Sequence, residues 1–339
     1  MKAIGLYKYL AIEDEESLVD VELDQPTPAG RDLLIAVKAV SVNPVDTKVR
    51  APKDTVESAP KILGWDGAGE VIAVGGDVEH FAVGDPVYYA GDLTRSGSNS
   101  EYQLVDERIV GRMPKKLDYA QAAALPLTAI TAWEALFDRL AISKSGEDAG
   151  RSILIIGGAG GVASIAIQLA KQMAKLKVIG TASRQASGDW VKARGADAVI
   201  NHRNPIDEEL AAAGMATVDY ILCLNSTAAH WPAMANAIAP QGRICSIVDT
   251  EEPVNLNLLK SKSVIFSWEF MFTRSMFQTD DMIEQQRLLN AVAELVDRSQ
   301  LVTTLSEVIR PINAANLRKV HGLIEQGNTI GKLVLADWA

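Results

Sequence analysis

The chain is short of cysteine, histidine and basic charge, and each shortage removes a class of function. Only two cysteines, Cys223 and Cys245, occur in 339 residues, each inside an apolar run (YILCL and GRICSIV). Two thiols exclude a disulfide framework and suit a reduced, cytoplasmic setting, where a cysteine in such a run is ordinarily a small buried hydrophobe. The four histidines, His80, His202, His230 and His321, are dispersed and match no metal-ligand spacing. Lys and Arg number 33 against 43 Asp and Glu, a formal charge of −10, so phosphate backbones and anionic membranes are repelled. No apolar run nears the roughly 18 residues that span a bilayer. The opening MKAIGLYKYL lacks the apolar stretch of a secretory signal before it meets EDEE. The expected partner is therefore a small molecule, with no nucleic acid and no membrane.

What remains is ordinary globular material, 48% hydrophobic, of a length that suggests two domains. To about residue 120 the texture is short strands and turns: LLIAVKAVSV ends at Asn43-Pro44, a strand leaves the glycine-rich GWDGAGE, and Gly84-Asp85-Pro86 precedes VYYA. AQAAALPLTAITAWEALFDRL then reads as a helix broken once at Pro126. Beyond it, strands such as SILIIGG, KVIGTAS, AVIN and YILCLN alternate with helices, the pattern of a doubly wound parallel sheet. The tail carries an amphipathic helix over 281–298, a strand, a helix over INAANLRKVHGLIEQG and the strand GKLVLA. With no further strand–helix–strand unit to supply, it is expected to return to the first domain. The fold class expected is α/β: a Rossmann domain over 127–267 inserted into a β-rich domain made of 1–126 and 268–339.

The sharpest local signal is ILIIGGAGGVA, residues 153–163. It follows a buried strand and opens a helix, the context a dinucleotide fingerprint requires. Gly158 and Gly160 take the first two glycine positions and Ala163 the third, with Ala159, Gly161 and Val162 between and beside them. Bare backbone there lets a pyrophosphate reach N–H groups at the helix N-terminus. The next strand ends in GTASR with no carboxylate to hold a ribose 2′-hydroxyl; Ser183 and Arg184 suit a 2′-phosphate instead. The cofactor expected is NADP(H).

With these residues placed, the chain resembles the medium-chain dehydrogenase/reductase superfamily, within it most closely the quinone-oxidoreductase (zeta-crystallin-like) branch and the zinc-type alcohol dehydrogenase-like group. The stretches that carry the resemblance are AVSVNPVDTKVR, PKILGWDGAGEVIAVG, AALPLTAITAWEALFDRL, GGAGGVASIAIQLAK, WEFMFTRSMF and GKLVL, in family order along nearly the whole chain. It implies a GroES-like catalytic domain around the Rossmann insertion and a homodimer. It also implies that zinc-using members place Cys and His where this chain has Asn43 and Trp65, neither a useful zinc ligand. The expected activity is zinc-independent hydride transfer from NADPH to a quinone or an α,β-unsaturated carbonyl, whose enolate needs hydrogen-bond donors more than a Lewis acid. An alcohol or aldehyde dehydrogenase, and a non-catalytic NADPH-binding protein, stand as the alternatives.

The resemblance assigns roles to individual residues. Asn43 lines the nicotinamide pocket, with an ordinary turn asparagine as the plainer reading, and Thr128 lies near the nicotinamide ribose unless it is only a helix-start hydroxyl. His202 takes a position often held by Tyr against the adenosine phosphate, with a solvated strand-end histidine as the alternative. Asn225 follows a central strand at the end where such sheets bind ligands. Trp65, Tyr88, Trp268 and Phe272 are the candidates for an apolar substrate wall, against simple core or interface packing. Arg274 either orients a carbonyl or pairs with a surface acid. The residues indicate no metal site and no general acid.

Overall fold

The computed structural model describes residues 1–339, and they fall into two compact units: Thr131–Met271, and Met1–Ile130 with Phe272–Ala339.

Thr131–Met271 holds a six-stranded sheet in which every neighbouring pair is parallel. Its strands, in chain order, are Ser152–Ile156, Lys177–Thr181, Ala198–Ile200, Val218–Cys223, Ile238–Ser246 and Ile265–Trp268. In space they run third, second, first, fourth, fifth, sixth, the doubly wound order that opens a crevice where the winding reverses. SILII and VDYILC are almost continuously apolar because helices cover both faces of a parallel sheet. The helices Gly161–Gln172, Gln185–Ala193, Ile206–Ala212 and Thr227–Ala237 alternate with the strands. Leu154, Ile156, Ile179, Ile221, Ile244, Trp231 and Met234 form one buried cluster within this unit. Burying each such side chain contributes about 1.5–3 kcal/mol.

The other unit is β-rich. Its larger sheet orders Leu305–Ile309, Lys332–Ala336, Asp32–Ser41, Gly67–Val74, Pro86–Tyr89 and Val110–Arg112, with Tyr102–Asp106 also pairing Asp32–Ser41. A smaller one orders Val19–Glu22, Lys2–Tyr9 and Lys53–Ile62. The closing strand Lys332–Ala336 lies antiparallel to Asp32–Ser41, with Val334 opposite Ser41 and Leu335 opposite Val40. That register brings Lys332 to the end of the strand that Asn43 follows.

Several elements differ from the sequence expectation. The alanine-rich stretch is two helices, Tyr119–Ala123 and Pro126–Trp133, the second widening into a π-helical turn over Glu134–Arg139. Pro126 therefore starts a helix, the position where its fixed φ and missing N–H cost least. Asn43-Pro44 is likewise a helix start, with Asn43 capping Pro44–Arg50. The strand Lys53–Ile62 carries KDTVESAPKI, polar and largely exposed, so it has none of the alternation that announces a half-buried strand. The tail helix spans Glu284–Asp297. No helix is long and apolar enough to cross a membrane.

Candidate active site

In Thr131–Met271 the chain turns sharply after Ser152–Ile156. Gly157 has φ +86, a conformation that only glycine adopts freely. Its N–H donates to Thr181 Oγ1 (3.0 Å), and the Gly158 N–H donates to the Thr181 carbonyl (3.0 Å). A methyl group at Gly158 would meet that carbonyl at 2.8 Å and Val191 Cγ2 at 3.1 Å, so Gly158 marks a close approach of two strand ends. Gly160 caps Gly161–Gln172, and Ala159, Gly160, Gly161 and Val162 are all partly exposed. The helix thus presents the unbonded N–H groups of its first turn in an open, side-chain-poor bend, suited to a pyrophosphate. Ala163 is buried where the helix packs. The sequence pattern treats Gly158 as the first special glycine; the structure gives the left-handed position to Gly157.

The neighbouring strand ends supply the surroundings. After Thr181, Ser183 is partly buried, and the exposed Arg184 caps Gln185–Ala193, with no carboxylate at this strand end. His202 follows Ala198–Ile200, with its Nδ1 3.1 Å from Thr181 Oγ1. Asn225, exposed after Val218–Cys223, lies close enough that a methyl at Gly157 would meet its Cβ at 3.5 Å. Of the four dispersed histidines, two are brought together: the His202 and His230 rings stand edge to face, 6.3 Å apart. Thr181 and His230 are residues that sequence reasoning missed, because only the pairing of parallel strand ends makes them neighbours. Both cysteines are fully buried; burial raises the Cys223 thiol and pushes Cys245 up to about 12, so neither forms a thiolate at neutral pH.

A second constellation lies in the β-rich unit. The buried Asp66 carboxylate accepts from the Leu127 N–H (2.7 Å), Asn43 Nδ2 (2.8 Å) and Lys332 Nζ (3.1 Å). Lys332 Nζ also donates to the Val42 carbonyl (2.9 Å) and to Asn43 Oδ1. Asp46 closes the group by accepting from the Asn43 N–H at 2.7 Å. Lys332 and Asp66 have side chains only 5% and 0% exposed, so each satisfies the other's need for a partner out of water. Burial raises the Asp66 carboxyl against the opposing pull of Lys332, and burial pushes Asp46 up to about 7. Sequence reasoning missed Lys332 and Asp46; a lysine opening the apolar strand KLVLA was the available signal.

This network decides how Asn43 is used. Its amide nitrogen goes to Asp66 and, at 3.3 Å, to the Trp65 carbonyl, while its oxygen goes to Lys332. Trp65 is buried, donates from Nε1 to the Asp92 carbonyl (3.2 Å) and meets Phe272 edge to face at 6.3 Å. Tyr88 is fully buried, with its hydroxyl donating to the Leu289 carbonyl (2.6 Å). Thr128 is buried and donates to the Leu125 carbonyl at 3.0 Å, one turn back. Trp268 is 47% exposed, against Phe266 on its own strand. Arg274 pairs with Asp281 at 3.0 Å.

Two family models match: an alcohol dehydrogenase GroES-like domain over residues 29–115 and a zinc-binding dehydrogenase over 194–335. The chain is 42% identical over 336 residues to a zinc-type alcohol dehydrogenase-like protein of Staphylococcus epidermidis, covering 99% of both. It is 34% identical over 260 residues to a quinone oxidoreductase of Sus scrofa, covering 76% of this chain and 75% of the other. Among solved structures, a protein of Rhizobium etli CFN 42 described as a zinc-dependent alcohol dehydrogenase is 52% identical. It superposes with a TM-score of 0.96 over 100% of this chain and 98% of that one.

These names imply zinc, and the residues do not fit it. No group of three or more His, Cys, Asp or Glu is placed to hold a metal. Around Asn43 and Asp66 the oxygens that could face a cation already receive the Lys332 ammonium.

Proposed function

Because the chain belongs to the medium-chain dehydrogenase/reductase superfamily of oxidoreductases, we propose that it transfers hydride from NADPH to a quinone or an α,β-unsaturated carbonyl without zinc. The observation that carries this reading is the Lys332–Asp66–Asn43 network, a resident side-chain cation where a metal-dependent enzyme needs open ligands. The likeness to a quinone oxidoreductase supports the substrate class, and the strand end at Ser183 and Arg184, with no acid, supports the 2′-phosphate.

In this reading Gly158, Ala159, Gly160, Gly161 and Val162 hold the pyrophosphate, and Ser183 and Arg184 hold the 2′-phosphate. His202 and Asn225 border the adenosine half, and Thr128 and Asn43 belong to the nicotinamide half. The nicotinamide supplies the hydride when bound. In a quinone or enone the accepting carbonyl delocalises the incoming charge, so the protein's work is orientation and exclusion of water. An alcohol carries no such acceptor and would require a Lewis acid at the oxygen.

We further assign a homodimer and a cytoplasmic setting. Ile265–Trp268 is an edge strand whose Ile265 and Trp268, with Phe270 beyond it, are exposed large hydrophobics, and an open edge of that kind is readily paired. The decisive assay follows NADPH oxidation with a panel of quinones and enones on protein whose metal content is measured. Turnover by metal-free protein is the expected result. Activity on alcohols that tracks bound zinc would establish the dehydrogenase reading, and tight NADPH binding with no turnover would make the protein a non-catalytic binder.

A further inference from the structure

The glycine turn is wired to a histidine. Thr181 Oγ1 accepts the Gly157 N–H and stands 3.1 Å from His202 Nδ1, to which its own hydrogen can be donated. With Nδ1 accepting from that hydroxyl, the neutral ring carries its proton on Nε2, a nitrogen with no partner inside the chain. His202 is partly buried at the carboxyl end of its strand, beside the strand end that carries Ser183 and Arg184. It faces His230 from the helix Thr227–Ala237. The acid on the helix packed nearby, Glu209, is turned away: it accepts from the Asn201 N–H at 2.9 Å and from Asn204 Nδ2 at 2.7 Å. Arg203 follows His202 in sequence, and its charge opposes protonation of the imidazole.

We propose that His202, oriented by Thr181 and faced by His230, discriminates between phosphorylated and unphosphorylated dinucleotides, and that binding the 2′-phosphate draws one proton onto this histidine pair. The proposal rests on the NADPH reading above. Without ligand the pair is neutral at pH 7: burial and then Arg203 hold His202 below its ordinary value, and burial and then His202 do the same to His230. A phosphate dianion beside the imidazole reverses that balance. The reaction is neutral imidazole plus a solvent proton plus dianion, giving an imidazolium–phosphate pair. Its sign is definite: affinity rises as pH falls, until the ligand phosphate itself takes a proton at about pH 6. NADH, which lacks the 2′-phosphate, shows no such dependence.

The test is calorimetric titration of the full-length protein with NADPH and with NADH at about pH 7.5, where the free phosphate is mostly dianionic, in two buffers of different ionisation enthalpy. The expected result is uptake of about one proton with NADPH and about none with NADH. In His202→Gln, which keeps a donor but cannot ionise, the uptake disappears, and NADPH affinity near pH 6.5 falls about tenfold. No uptake with NADPH, in a protein that still prefers NADPH, would overturn this proposal and leave the cofactor reading standing. Uptake that persists in His202→Gln would overturn it too, by placing the proton elsewhere. Equal affinity for NADPH and NADH would overturn both readings.

Discussion

Replacing Lys332 with Met tests the buried network directly. The ammonium makes three contacts, to Asp66, Asn43 Oδ1 and the Val42 carbonyl; methionine keeps the apolar stem and removes all three. Asp66 then retains two donors, the Leu127 N–H and Asn43 Nδ2, for a fully buried charge. Removing one partner of a buried ion pair costs about 3–5 kcal/mol. Asp66 escapes part of that cost by taking a proton, because burial already raises its carboxyl and Lys332 is the largest group opposing the rise. A folded state whose carboxyl is raised is favoured at low pH and loses that advantage as pH rises, so the defect should grow toward alkaline pH. Each pH unit between the unfolded and folded values is worth about 1.4 kcal/mol. The assay is urea unfolding followed by tryptophan fluorescence at about pH 6 and pH 8, with hydrogen exchange at the Leu127 amide as a local reporter. Lys332→Met should be several kcal/mol less stable at the higher pH, less so at the lower, and Lys332→Met with Asp66→Asn should recover much of the loss. A defect below about 1 kcal/mol and equal at both pH values would show that the pair behaves as a solvated one, with its oxygens free to face a cation.

Arg184→Ala should weaken NADPH binding by about 1–3 kcal/mol and spare NADH; equal losses in fluorescence titrations would show that the 2′-phosphate lies elsewhere. Gly158→Val should abolish dinucleotide binding by either cofactor with little change in far-UV circular dichroism, because its Cβ meets the Thr181 carbonyl at 2.8 Å; wild-type affinity would refute the cradle. His321 is buried with neither ring nitrogen bonded, and burial, then Arg50, hold it down to about 3. The folded state refuses a proton that the unfolded chain accepts, so stability is lost as pH falls from about 6.5 toward 3. His321→Leu should therefore stabilise by about 2 kcal/mol more at pH 5 than at pH 7 in urea titrations. Asp46, pushed up to about 7, contributes the opposite slope, its stabilisation lost as pH rises from about 4 to 7; Asp46→Asn should remove that slope.

The residues that set local backbone chemistry were legible in the chain. ILIIGGAGGVA declares a strand, a bare turn and a helix start whatever surrounds it, and the missing carboxylate near Arg184 is visible without a fold. The left-handed glycine is Gly157, one residue before the first glycine of the fingerprint and in the same bend. The role of Tyr88 is not legible in the chain, because aromatic residues near a glycine turn look alike in sequence whether they line a pocket or fill a core. The Leu289 carbonyl that takes the Tyr88 hydroxyl is 201 residues away.

By itself, then, the sequence determined the alternation of strand and helix and the glycine-rich turn between Ser152–Ile156 and Gly161–Gln172, since each depends on neighbours within a few positions. Tertiary structure decided the rest. Asp66 and Lys332 are 266 residues apart and Thr181 and His202 are 21 apart, and only strand pairing brings either couple within bonding distance. A buried charge is tolerable only where the fold delivers its partner, so the meaning of Lys332 was settled by the register between the closing strand and Asp32–Ser41.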